Sequence, residues 1–121
     1  SELDRATPPD TDAERPWALV RGEPTWRLDL GGAGHQAISD IALYAELAAH
    51  VADLPDIVRQ YLASTAADAG APGVMTWREL MRVQVSAAWA FLDIVLDLDA
   101  DRGHAVVDEI DATHGVRLRR R

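Results

Sequence analysis

Between Asp93 and Asp111 the chain sets out the side chains best suited to chemistry: Asp97, Asp99, Asp101, His104 and Asp108. Carboxylates around an imidazole hold divalent ions. The spacing Asp97-x-Asp99-x-Asp101 matches the opening of a calcium-binding loop. The match then departs, because Arg102 stands where the sharp-turn glycine belongs and Asp108 where the bidentate glutamate belongs. These five residues define one expectation, a metal-dependent enzyme or metal-binding protein. The plainer reading is a run of helix caps and a solvated acidic face, with His104 and Asp108 a surface pair at i and i+4.

Three other groups carry possible chemistry. Glu46, His50 and Asp53 recur at i, i+4 and i+7, which places two carboxylates around a histidine on one edge of a helix. Bundle metal sites draw ligands from several helices, commonly with an E-x-x-H pair, and that pair is absent here. Gly32-Ala-Gly34-His-Gln-Ala37 matches G-x-G-x-x-A, in which glycines let a backbone approach a pyrophosphate at a helix N-terminus. The fingerprint belongs to a β-α-β unit, and no later stretch reads as a second parallel strand. Arg117, Arg119, Arg120 and Arg121 form a basic run able to contact phosphates, so a nucleic-acid regulator working through a C-terminal tail is a further expectation.

These groups have to be positioned by a small set of elements. The 121 residues fit one domain with a core of its own. The absence of cysteine excludes disulfides and thiolate metal sites. No apolar segment follows a basic start, and the longest apolar run is too short and too acidic to span a bilayer, so a cytoplasmic protein without membrane contact is expected. All 12 basic residues are arginine. The lack of Lys and Asn, with abundant Ala, Asp and Val, is the composition of a GC-rich genome, such as an actinobacterium or its phage. The net charge is −8, and residues 1–116 carry 8 arginines against all 20 acids. An acidic body repels nucleic-acid phosphates, unless it mimics them to occupy a basic site on a target.

Residues 1–16 are polar, acidic and proline-bearing, and read as a disordered arm. Trp17-Ala-Leu-Val-Arg21 and Thr25-Trp-Arg-Leu-Asp-Leu30 read as an extended strap or a small β-hairpin around Gly22-Glu-Pro24. Helices follow at about 35–53, 55–69, 76–98 and 102–114, with breaks at Gly31–Gly34 and Gly70–Gly73 and a stop at Gly115. The fold expected is all-α: a bundle of three to four helices, spanning 17–116 with the strap, followed by a basic tail at 117–121.

The helix over Thr76–Leu98 organises the rest. Thr76 and Glu79 form a T-x-x-E capping box. Helical period gathers Glu79, Arg82, Ser86, Asp93 and Asp97 on one polar stripe, with Ala90 in the gap, and leaves the other sides apolar except for Gln84. Such a helix is buried on several sides. Gln84 needs a hydrogen-bond partner, either a backbone carbonyl or a position at a helix seam. The first helix adds a face of small residues, Ala42, Ala45 and Ala49. Two short helices do not cover the apolar surface of the central one. Either Trp17 and Trp26 of the strap close it, or a second copy does. The leading expectation is a non-enzymatic, homodimeric interaction module, an adaptor or assembly subunit of the kind phages and mobile elements encode. It would need no cofactor, bind another protein, and have a seam at Gln84, Val85, Trp89, Ala42, Ala45 and Ala49.

Overall fold

A computed structural model describes residues 14–69 and 75–121. It is mostly helical, with one small antiparallel sheet. The order is α1 (Glu14–Leu19), β1 (Trp26–Leu30), a 3-10 turn (His35–Ile38), α2 (Ile41–Ala48), α3 (Asp56–Ala66) running into a second 3-10 turn (Ala67–Ala69), α4 (Trp77–Val95), α5 (Ala100–Asp111) and β2 (Val116–Arg120).

The sheet corrects two expectations. Residues 117–121 are not a tail: β2 pairs antiparallel with β1, Trp26 opposite Arg120, Leu28 opposite Leu118 and Leu30 opposite Val116. The strand partner of β1 therefore comes from the far end of the described chain. The reason lies in the alternation. Val116 and Leu118 match Leu30 and Leu28 on the face turned to the helices, while Arg117 and Arg119 stand opposite Asp29 and Arg27 on the other. A hairpin within 17–30 would have lacked this core beneath it. The first half of that segment instead belongs to α1, which Pro16 suits as an early helical residue. Arg121 closes the end of α1 by donating from Nη1 to the carbonyls of Trp17 (2.8 Å) and Val20 (3.2 Å), and its guanidinium stacks 4.3 Å from the Trp17 ring. Residues 1–13 of the expected arm, and the Gly70–Gly73 break, lie outside the described residues.

The 35–53 helix is interrupted. The Ser39 hydroxyl turns back on the Gln36 carbonyl at 2.9 Å, and α2 starts only at Ile41. It stops at Ala48, where the Arg59 guanidinium of α3 donates to the carbonyls of Ala48, Val51 and Ala52. That one side chain satisfies carbonyls a helix end leaves open and fixes the α2–α3 turn.

In α4 the capping box is complete: the Glu79 N–H donates to Thr76 Oγ1 at 3.3 Å, and Glu79 Oε2 accepts from the Thr76 N–H at 2.7 Å. Its core side carries Leu80, Ala87 and Ala90. These meet Val107 and Ile110 of α5, and Leu30 and Leu118 of the sheet, with Leu28 and Val116 packed against both halves of the core. α5 approaches closely because Gly103 faces α4. A Cβ there would lie 2.7 Å from Ile94 Cγ1 and 3.1 Å from the Ala90 carbonyl.

Candidate functional site

The polar stripe of α4 faces water at Glu79, Arg82 and Asp97, as its residue types imply, but turns inward between them. Asp93 is 2% exposed, and Ala90 in the same stripe is fully buried. Arg102 of α5 grips Asp93 in two bonds, Nε to Oδ2 at 2.9 Å and Nη2 to Oδ1 at 2.7 Å. The hydrogen bonds from Arg102 hold the Asp93 carboxyl below its ordinary pKa, against the upward push of burial. The Ala90–Asp93 part of the stripe is thus the contact with α5, and the side of α4 that carries Val85 is apolar and exposed. Val85 is 46% exposed, Trp89 59% and Leu96 58%. Ala88, Leu92 and Val95 are exposed beside them, and Met81 is half-buried. Met81, Val85, Ala88, Leu92 and Val95 follow one another at steps of four, three, four and three, the spacing of a helix–helix seam.

The same inversion holds in α2, whereas α3 buries no residue fully. Ala42 and Ala48 are buried within the chain, while Tyr44, Leu47, Ile57 and Tyr61 are exposed. Ala42 is therefore unavailable to a seam; Ala45 is half-buried and Ala49 exposed. Small residues went inward because they let backbones approach, and the large apolar residues were left outside. Gln84 is also spent within the chain: its Nε2 donates to the Ala37 carbonyl at 2.9 Å and the Leu80 carbonyl at 3.2 Å, tying α4 to the first 3-10 turn.

Beside the seam lies an apolar groove of about 570 Å3 between β1 and α4, lined by Trp26, Leu28, Ala87, Ala88, Phe91 and Leu92 among others. Trp26 meets the Phe91 ring edge-on, with centroids 5.3 Å apart. Trp17 sits apart from this groove, under Arg121, so of the two strap tryptophans Trp26 is the one packed on α4. The rim of the groove is the outer edge of β1. Thr25 and Arg121 exchange both backbone hydrogen bonds, and the Gly31 N–H donates to the Gly115 carbonyl. Antiparallel alternation then turns the N–H and C=O groups of Trp26, Leu28 and Leu30 away from β2. Among the described residues these groups have no backbone partner.

The outer face of the sheet carries an ion cluster. Arg27 contacts Glu14 (3.1 Å) and Asp29 (2.6 Å), and Arg119 contacts Glu14 (2.9 Å) and Asp29 (2.9 Å, without the N–H alignment of a hydrogen bond). Burial pushes the Glu14 carboxyl up, and the two guanidiniums outweigh it and hold it below its ordinary value. Arg120 pairs with Asp111 at 3.0 Å. Arg119, Arg120 and Arg121 are thus engaged within the chain, and Arg117 is exposed on β2.

The remaining sequence-derived groups do not assemble. Among the described residues no three His, Cys, Asp or Glu side chains gather as a set that could hold a metal ion. Asp99 caps α5 by accepting the Arg102 N–H at 3.1 Å, so a helix begins where a calcium loop would have to continue through Asp101 to Asp108. Asp97 takes a positive φ of 52° in the turn before it, and His104 and Asp108 are exposed on α5. Glu46 is bound by Arg78, which lowers its pKa, while His50 and Asp53 lie beyond the end of α2. Gly34 precedes a four-residue 3-10 turn, not a long helix, and the sheet has no parallel pair. No helix among the described residues is long and apolar enough to cross a membrane. Compared with known proteins, the chain matches no family model, no curated protein and no solved structure.

Proposed function

We propose that this chain is a non-enzymatic interaction module that pairs with a second copy through the outward face of α4. The observation that carries the reading is the exposure of Val85 and Leu92 in a seam-spaced row while Ala87 and Ala90 of the same helix are buried. Burying apolar surface contributes roughly 25 cal/mol per Å2, so a patch of a few hundred Å2 favours association. On this reading the helical layer is completed between copies, α4 of one against α4 of the other. Such a dimer displays the second apolar face, on α2 and α3, twice. That suits an adaptor or assembly subunit holding another protein. The engagement of Arg119, Arg120 and Arg121 within the chain argues against a phosphate-binding tail.

Sedimentation equilibrium at micromolar concentration tests the reading and is expected to report twice the chain mass. Val85→Glu places a charge in the seam and is expected to give a monomer. Ala105→Glu, on the exposed side of α5, leaves the dimer intact. A wild-type chain that stays monomeric throughout the concentration range overturns the proposal.

A further inference from the structure

The outer edge of β1, which has no backbone partner among the described residues, lies beside the proposed seam, and its sequence is self-complementary. We infer that the second copy also joins there, adding its own β1 antiparallel to this edge so that the two sheets become one four-stranded sheet above the paired α4 helices. This inference rests on the helix-face dimer proposed above. The outward N–H and C=O groups of Trp26, Leu28 and Leu30 fix which residues bond across the new pair. With Leu28 opposite the partner's Leu28, Trp26 meets the partner's Leu30, and Arg27 stands opposite the partner's Asp29. Arg27 and Asp29 already pair within each copy, at 2.6 Å, and this register sets the two such pairs side by side with opposite charges directly opposed, which favours an antiparallel ladder. The outer edge of β2 lacks this property. Pairing β2 with itself about Leu118 sets Arg117 opposite the partner's Arg119, and like charges directly opposed destabilise.

The layer beneath agrees. Leu28 lines the groove together with Ala87 and Ala88. A two-fold axis at Leu28 therefore passes beside Ala88, the smallest residue of the Met81–Val95 seam, where two helices can come closest. The groove between β1 and α4 is then filled by the partner's apolar side chains, and the backbone edge, otherwise a template for unspecific pairing, is closed.

Amide hydrogen exchange on the wild-type full chain decides the matter. It is measured at a dilution that gives monomer and at a concentration where sedimentation reports dimer. On dimerisation the Trp26, Leu28 and Leu30 amides are expected to slow by about tenfold or more, and those of Arg27 and Asp29, already turned to β2, to change less. The chain has no cysteine, so Leu28→Cys introduces a single thiol. A hydrogen-bonded antiparallel pair sets its Cα atoms about 5.5 Å apart, within disulfide range. Oxidised glutathione is expected to join two Leu28→Cys chains covalently and to leave Arg117→Cys chains unjoined. A dimer whose three edge amides exchange as fast as in the monomer overturns the strand pairing and leaves the helix seam standing. Protection independent of concentration means that the chain itself covers the edge, and also overturns it. A monomer at every concentration overturns both proposals.

Discussion

Asp93 and Arg102 show how one pair can reverse the meaning of a residue pattern. An aspartate on a helix is ordinarily a mark of solvent, yet this one is buried because a guanidinium nine residues on meets it with two parallel bonds. Removing the arginine leaves a carboxylate without its partner in a desolvated place, the costly half of such an exchange. Arg102→Ala is therefore expected to lower the urea midpoint at pH 7 clearly, and to raise the Asp93 pKa. The pH dependence has a definite sign. The folded-state pKa of Asp93 is depressed, so its contribution is fully present above the unfolded value of about 3.9 and is lost as pH falls through the folded value. Urea midpoints of wild type and Arg102→Ala should accordingly converge in acid; a gap that persists unchanged well below that range would refute the assignment. The capping box at Thr76 was legible in the sequence because both partners sit within three residues. The Asp93 pair was not, because its other half belongs to a different helix.

Among the elements, β2 departs furthest from what its composition implies. Three arginines in five residues resemble a solvated tail, but Leu118 is part of the core and the strand holds β1 in place. Its period of two, Val116 and Leu118 against Arg117 and Arg119, was the available signal, and it matches the alternation of Trp26, Leu28 and Leu30 in β1. Leu118→Ala is expected to cost about 2 kcal/mol, the lower end for a buried leucine, read from urea denaturation. Removal of 117–121 should abolish the cooperative thermal transition. Truncation without effect on melting would restore the tail. α4 teaches the complementary lesson. Its limits and cap follow from local sequence, whereas its buried side does not. Period alone identifies two differing faces. Which one packs inward depends on the close approach that Gly103 and Ala90 permit between α4 and α5.

At the scale of the whole molecule, the described chain leaves large apolar side chains outside on α2, α3 and α4. If α4 pairs with a second copy, folding and association are linked, and mass action makes the melting temperature depend on protein concentration. A tenfold increase in concentration is expected to raise it by about 2–5 °C. A concentration-independent transition between about 1 and 100 μM would fit a self-sufficient monomer instead. By itself the sequence determined a mostly helical chain, the start of its longest helix, an apolar excess on that helix, and an extended run at Trp26–Leu30. Each of these is written in neighbours a few residues apart, through capping, period and turn chemistry. The tertiary structure alone decided that residues 116–120 complete the sheet, that Asp93 lies inside, that Val85 and Trp89 lie outside, and that the carboxylates from Asp97 to Asp108 do not converge. Those outcomes depend on partners contributed by separate elements, Arg102 to Asp93 and β2 to β1, and on which backbones can approach most closely. No local pattern encodes that choice, because it is made by packing the whole chain at once.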